Sequence, residues 1–200
     1  MSLQRYFRLI ITIVFLALSS QATADNSSPT AQLRFSVDNI LLLLKDKSLS
    51  AEARKDKIRA IINDRFYFRA MSQRTLARNW KKASAGQQKE FVSLFSDLLE
   101  KTYLGRIEAY TDERVEYLRE KSKNPKRAIV FTQIVTKSAD IPINYKLAKK
   151  GNQWLIYDVI IEEVSLISNY RSSYNEIIKK DGMDKLLDKM KEKLNTADAG

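Results

Sequence analysis

The chain has 200 residues and a net charge of +11 at pH 7, and it contains neither cysteine nor histidine. Without cysteine it has no disulfide framework, thiol nucleophile or thiolate metal site. Without histidine it lacks the commonest general base and transition-metal ligand, so catalysis would have to use carboxylates, lysines or tyrosines. The composition therefore weakens enzymatic hypotheses, and we expect no metal site.

The N-terminus has the three parts of a secretory signal peptide. Arg5 and Arg8 precede the apolar run Leu9–Leu18, and Ala22 and Ala24 supply small residues for cleavage after Ala24. A membrane anchor is the weaker alternative, because an apolar run of about ten residues is shorter than the roughly 20 that span a bilayer. We therefore expect residues 1–24 to be removed and residues 25–200 to form one exported domain.

The exported domain remains basic, since losing two arginines lowers the charge from +11 to +9. An exported chain meets anionic lipid headgroups and acidic protein surfaces, so we expect no nucleic-acid partner. Solubility alone explains the charge equally well.

The first half of the domain has helical patterns. Ser28 followed by Pro29 is typical of an N-cap and first helical position, and predicts a helix over residues 29–45. Ser50 opens a second amphipathic segment, which leads to an apolar group at residues 66–71. Ser84 and Gln87 have the spacing of a capping box, and the apolar stripe after them predicts the clearest helix of the chain.

Strand patterns follow from about Arg114. Residues 128–135 form a β-branched run, and residues 141–147 alternate strictly before a turn at Gly151 leads into residues 154–161. This pattern predicts an antiparallel hairpin. Pro142 suits the start of a strand or an edge strand, because it cannot donate to an interior ladder.

Helical spacing returns from Val164, and Gly182 separates this helix from a lysine-rich final segment. The element order predicts an α+β fold: a twisted antiparallel sheet of about four strands with helices packed on one face. Helices around a curved sheet can enclose an apolar cavity. A filled core has the same periodicity, so the pattern leaves both possibilities open.

Several segments carry a family resemblance that extends over nearly the whole domain. These segments are residues 66–72, 80–91, 95–103, 141–145, 154–162 and 164–172. On them the sequence resembles the MlaC, or toluene-tolerance, family of periplasmic phospholipid-binding proteins. Glu163 stands where we expect glycine, and a turn that requires positive φ would be strained by this glutamate.

The resemblance implies a monomeric periplasmic carrier with no cofactor, whose cargo is a phospholipid. Its partners would be an outer-membrane lipoprotein complex and an inner-membrane ABC transporter complex, between which it would move lipid to maintain outer-membrane lipid asymmetry. The acyl tails would lie in the apolar cavity, with the headgroup near the surface. The candidates for the pocket wall are Phe66, Phe68, Met71, Phe91, Phe95, Leu98, Leu99, Tyr103, Ile107, Ile143, Tyr145, Leu147, Tyr157, Val159, Val164, Leu166 and Tyr170.

Lys146 and Arg171 are the candidates for a headgroup site, because ammonium and guanidinium groups both bind phosphate. The alternative is structural: Arg171 would pair with Glu162 or Asp158, and Lys146 would be solvated on the outer face of its strand.

Two other function classes fit the same pattern. An exported enzyme with a cone-shaped α+β fold would use Asp158 or Glu162 as a base whose pKa is raised in an apolar pocket. A periplasmic chaperone would instead expose an apolar patch at its surface.

Overall fold

The computed structural model describes residues 27–109, 114–137 and 139–196. The predicted signal peptide, residues 1–24, lies outside these ranges. Among the helices described, none is both long enough and apolar enough to cross a membrane. The elements in chain order are α1 (Pro29–Lys45), α2 (Ala51–Arg65), α3 (Phe68–Leu76), a 3₁₀ helix (Ala77–Lys81), α4 (Ala85–Glu108), β1 (Arg114–Asn124), β2 (Arg127–Val135), β3 (Asp140–Lys150), β4 (Gln153–Ile161), β5 (Val164–Ser165) and α5 (Leu166–Thr196).

The helices begin where the capping residues place them. The Ser28 hydroxyl accepts a hydrogen bond from the Ala31 amide at 3.1 Å, with Pro29 at the first helical position of α1. At α4, the Ser84 amide donates to the Gln87 side chain at 2.9 Å and the Gln87 amide donates to the Ser84 hydroxyl at 3.2 Å. Both predicted helix starts are therefore confirmed.

The sheet is antiparallel throughout, with its strands in sequence order from β1 to β5. The α+β prediction is confirmed, and the two-residue β5 makes one strand more than the four expected. Pro142 lies near the start of β3, and pairing with β4 begins one residue later, at Ile143. The strand is interior, so of the two positions predicted for Pro142 the strand start is correct.

One β-bulge interrupts the pairing of β3 with β4. Lys146 is opposite Asp158 and Leu147 is opposite Ile156, which leaves Tyr157 as the extra residue of β4. A bulge bends its strand and re-aims the side chain of the extra residue. Tyr157 consequently packs against helices, whereas Ile156 and Val159 belong to a core on the sheet.

The apolar interior is divided into two clusters. The first, here called the helical cluster, joins α3, α4 and α5 through the buried residues Met71, Leu76, Phe91, Phe95, Leu98, Leu99, Ile167, Tyr174, Leu186, Leu187 and Met190. The second, here called the sheet cluster, packs α1 on β2, β3 and β4 through Leu33, Ala128, Val130, Leu147, Trp154, Ile156 and Val159. Phe66, between α2 and α3, packs against both clusters.

Arg65, the last residue of α2, fixes the position of Phe66. Its guanidinium is largely buried and donates to the Ser36 hydroxyl at 2.8 Å, the Gln32 amide oxygen at 3.0 Å and the Trp154 carbonyl at 3.1 Å. Burial lowers the pKa of Arg65. These bonds join α1, α2 and the start of β4 at one point.

The turn between β4 and β5 contains the departure from the expected glycine. Glu162 and Glu163 have φ values of 46° and 69°, a region that non-glycine residues rarely occupy. Ile161 pairs with Val164 on either side, so these two residues form a tight hairpin turn. The turn keeps the positive φ that a glycine would suit, and the glutamate accommodates it under strain.

We predict that Glu163→Gly raises the free energy of unfolding by about 1 kcal/mol, because glycine adopts positive φ without the Cβ clash. Glu163→Ala removes the same charge but keeps the Cβ atom, and should give no such gain. Urea unfolding of both variants measures the difference. Equal stability of the glycine and alanine variants would contradict a strained turn.

Candidate functional site

The predicted pocket residues are divided between the two clusters. Leu147 and Val159 are buried in the sheet cluster, with Ile143, Tyr145 and Leu166 at its edge. The candidates in or beside the helical cluster are Phe68, Met71, Phe91, Phe95, Leu98, Leu99, Tyr103, Tyr157 and Tyr170. Phe66 touches both clusters. The structure thus brings most of the candidates into two adjoining apolar groups.

Two candidates lie elsewhere. Val164 follows the strained hairpin turn and its side chain is 58% exposed. Ile107, near the end of α4, is half-buried and belongs to neither cluster. Apolar periodicity selected both residues. It could not show that α4 ends one residue after Ile107, or that Val164 directly follows a turn.

Aromatic rings fill the centre of the helical cluster. Phe91 and Phe95 stack with their centroids 5.5 Å apart, and the edge of Tyr170 meets Phe95 at 5.3 Å. Such arrangements add to stability beyond what the buried area alone contributes.

Burial raises the pKa of Tyr174 and, in the sheet cluster, raises the pKa of Tyr145 to about 12. The phenols therefore remain neutral in apolar surroundings at physiological pH.

The line along which the two clusters meet is called the seam here. Phe66 marks it, stacked on Phe68 at 5.8 Å. Leu166 and Ile167 mark it again, because these consecutive residues belong to the sheet cluster and the helical cluster respectively. Phe66 and Leu166, which mark the seam, are half-buried, unlike the cluster centres. Other half-buried residues pack against one cluster each: Tyr103 and Tyr170 against the helical cluster, and Ile143 and Tyr145 against the sheet cluster.

A cavity of about 680 Å³ lies between α2, α4 and the end of α5, and none of the pocket candidates lines it. Charged groups line it: the Arg59 guanidinium bonds Glu100 at 2.6 Å, and this bond raises the pKa of Arg59. Burial raises the pKa of Asp97 on the same wall. Such polar walls do not suit an acyl chain. Within residues 27–109, 114–137 and 139–196, no group of acidic residues has the arrangement of a metal site.

Lys146 is engaged in the structure. Its ammonium lies 2.9 Å from a carboxylate oxygen of Asp158, and Asp158 is only 4% exposed. The same carboxylate accepts from the Ser165 hydroxyl at 2.9 Å and the Ile167 amide at 3.3 Å. The alternative of a merely solvated Lys146 is therefore wrong: this residue neutralises a buried carboxylate at the junction of β4 and α5.

Arg171 makes a different contact from the one expected. Its Nε donates to the Arg74 carbonyl at 2.8 Å, and in the described part of the chain it pairs with neither Glu162 nor Asp158. No sequence pattern singled out Arg74 and Arg127, whose guanidinium carbons lie 4.3 Å and 4.9 Å from the Tyr157 ring centroid. Residues so far apart in the chain are brought together only by the tertiary fold.

We predict that Asp158→Ala lowers the free energy of unfolding by about 3 kcal/mol, since it removes one partner of a buried pair and leaves three donors unsatisfied. Asp64→Ala, at an exposed position, should change it by less than about 0.5 kcal/mol. Chemical denaturation compares the two variants. Similar small losses in both would show that the Asp158 network does not hold β4 to α5.

Comparisons with known proteins agree with this architecture. The family model described as "MlaC protein" matches residues 35–192. The intermembrane phospholipid transport system binding protein MlaC of Haemophilus influenzae is 20% identical over 199 residues, covering 95% of this chain and 93% of that protein. A phospholipid-binding protein of Ralstonia solanacearum, solved in complex with a phospholipid, has a similar fold, with a TM-score of 0.75 and 22% identity, and the match covers 84% of this chain and 97% of that one. The family match extends from the middle of α1 almost to the end of α5, and the chain therefore belongs to the MlaC family.

Proposed function

We propose that this protein is a periplasmic phospholipid carrier that holds acyl tails between its helical and sheet clusters. The observation that carries the proposal is the seam, where half-buried aromatic and aliphatic side chains separate two apolar clusters. Membership of the MlaC family supports it. So do the transport name of the Haemophilus relative and the lipid bound to the Ralstonia protein.

The tails would enter by parting the clusters at the seam. Phe91, Phe95 and Met71 are fully buried against neighbouring side chains, so space for a lipid requires these surfaces to move apart. Apolar contacts are not directional, and hydrocarbon tails can replace side chains as the covering of each surface. The pocket candidates of both clusters would then become the walls of one cavity, whereas Val164 and Ile107 would stay outside it.

The energy of an exposed lipid explains why a carrier needs such a pocket. Two acyl chains contain roughly 30 methylenes, and at about 0.8 kcal/mol each their transfer to water would cost on the order of 24 kcal/mol. The protein must therefore shield most of both tails. Neither a cofactor nor a catalytic residue is required for this task.

Partners would supply the direction of transport. Moving a lipid from a bilayer to an apolar pocket exchanges one hydrocarbon environment for another, so the net driving force is small. An outer-membrane lipoprotein complex and an inner-membrane ABC transporter complex would act as donor and acceptor for a monomeric carrier. In this proposal residues 1–24 are the removed signal peptide, and residues 25–200 form the single lipid-binding domain, whose charge of +9 favours contact with anionic surfaces.

The two other function classes have less support. Asp158, the first candidate for a catalytic base, is occupied by Lys146 and Ser165, and Glu162 is exposed in a hairpin turn. A chaperone would need a continuous exposed apolar patch. The large apolar side chains exposed in the described ranges are four, on three elements: Phe35 and Leu42 on α1, Leu118 on β1 and Val164 on β5.

The carrier proposal predicts about one phospholipid per chain in protein purified from a periplasm without detergent. Native mass spectrometry gives the stoichiometry, and lipid extraction gives the identity. A chain that stays free of lipid even after incubation with vesicles and its membrane complexes would overturn the proposal and favour the enzyme or chaperone.

The position of the tails can be tested with a photoreactive amino acid. Benzoylphenylalanine at Tyr145 or Tyr170 should cross-link to bound lipid, since these half-buried side chains pack against the sheet cluster and the helical cluster respectively. Phe131 is the matched control: it is a half-buried aromatic residue in neither cluster, with Arg119 3.6 Å above its ring. Equal cross-linking at all three positions, measured by mass spectrometry, would place the tails elsewhere.

A further inference from the structure

Two arginines lie over the ring of Tyr157, and a third is bonded to one of them. The guanidinium carbon of Arg74 lies 4.3 Å from the ring centroid and that of Arg127 lies 4.9 Å from it. Arg171 joins them through the bond from its Nε to the Arg74 carbonyl, at 2.8 Å. Arg74 belongs to the last turn of α3, Arg127 is the first residue of β2 and Arg171 lies near the start of α5. The three elements meet beside the bulge of β4.

Among the residues that the structure describes, this group has no acidic counterpart. Arg59 and Arg114 are paired with carboxylates, but in the described ranges no ion pair reaches Arg74, Arg127 or Arg171. The nearby carboxylate of Asp158 is already neutralised by Lys146.

The Nε of Arg74 is buried, and among the described residues it has no hydrogen-bond partner. A buried donor without an acceptor costs free energy, and neighbouring like charges repel one another. An anion with several oxygens would relieve both costs, so the group has the properties of an anion site.

The arginines also lie close to the seam. Tyr157 packs at the edge of the helical cluster, and Tyr170, which precedes Arg171 in α5, touches Phe95. On α3, Arg74 follows Phe68 by six residues, which is about 9 Å along a helix axis. An anion held by the arginines would therefore lie near the aromatic side chains that border the proposed tail pocket.

We propose that Arg74, Arg127 and Arg171 form a phosphate-binding site over Tyr157 that takes the phosphodiester group of the lipid held at the seam. This inference rests on the carrier function proposed above. Guanidinium groups bind phosphate oxygens bidentately. The Tyr157 ring orients two of them through its face. The site replaces Lys146 as the headgroup contact, because that lysine is bound to Asp158.

The experiment uses the lipid-loaded protein and measures the rate at which phospholipid leaves for phosphatidylglycerol vesicles. Arg74→Gln, Arg127→Gln and Arg171→Gln should each release lipid about tenfold faster, as expected for one lost charged hydrogen bond. Arg119→Gln is the control, since Arg119 also lies over an aromatic ring but away from both clusters. Arg171→Lys keeps the charge and should release lipid at an intermediate rate, which guards against misfolding of the glutamine variants.

A titration with inorganic phosphate, followed by ³¹P NMR, distinguishes the two sources of phosphate. If the lipid-loaded wild type binds no phosphate at the arginines and the glutamine variants shift the lipid phosphorus resonance, the site holds the headgroup. If the loaded protein binds free phosphate there, or if the variants keep wild-type release rates, the headgroup assignment is overturned. Unchanged release with impaired transfer to the membrane complexes would instead identify an acidic protein partner and overturn it as well.

The outcomes separate this inference from the carrier function. A wild type without phospholipid would overturn the function itself, and the headgroup assignment with it. A wild type that carries phospholipid, with variants that release it normally, would overturn only the arginine site.

Discussion

The hydrogen bonds of Arg65 are the constraint on which the arrangement of the interior depends. This guanidinium is buried, pairs with no carboxylate in the described part of the chain, and is satisfied by the neutral oxygens of Ser36, Gln32 and Trp154. A buried charge is tolerated only when its donors find such acceptors. Because these acceptors lie on α1 and β4, the end of α2 can occupy only one position on the sheet, and the next residue, Phe66, is placed with it.

The position of Phe66 explains why the domain has two apolar clusters that meet along a line. The Tyr67 amide donates to the Ile156 carbonyl at 2.8 Å, which ties the start of α3 to the sheet beside the bulge. From this point α3 continues into the helical cluster, whereas α1 remains on the sheet cluster. A single core would resist the entry of a lipid at every point. In the proposed function, two cores joined at Phe66 and Leu166 would part along the seam with less loss of packing than one continuous core.

Local patterns were sufficient to predict α1, α2, α4 and the four long strands, but not α3, the 3₁₀ helix or β5. The caps at Ser28 and Ser84 act within a few residues, and the alternation in β3 follows directly from the pleat of a strand. The polar contacts were less predictable, because they join distant segments. Nothing near Lys146 in the sequence indicates Asp158 as its partner, and the approach of Arg74 and Arg127 to Tyr157 depends on a bulge that periodicity does not reveal.

The bulge at Tyr157 also determines which parity of residue faces the sheet cluster. Before it, the even-numbered Trp154 and Ile156 belong to that cluster; after it, the odd-numbered Val159 and Ile161 do so. Because of the extra residue, β4 presents apolar side chains to the sheet cluster both before and after the bulge. Only the Tyr157 ring packs against the helices and the arginines. Deleting one residue here would turn the side chains of half of β4 to the opposite face of the sheet. The length of this strand is therefore constrained more tightly than the identity of most of its side chains.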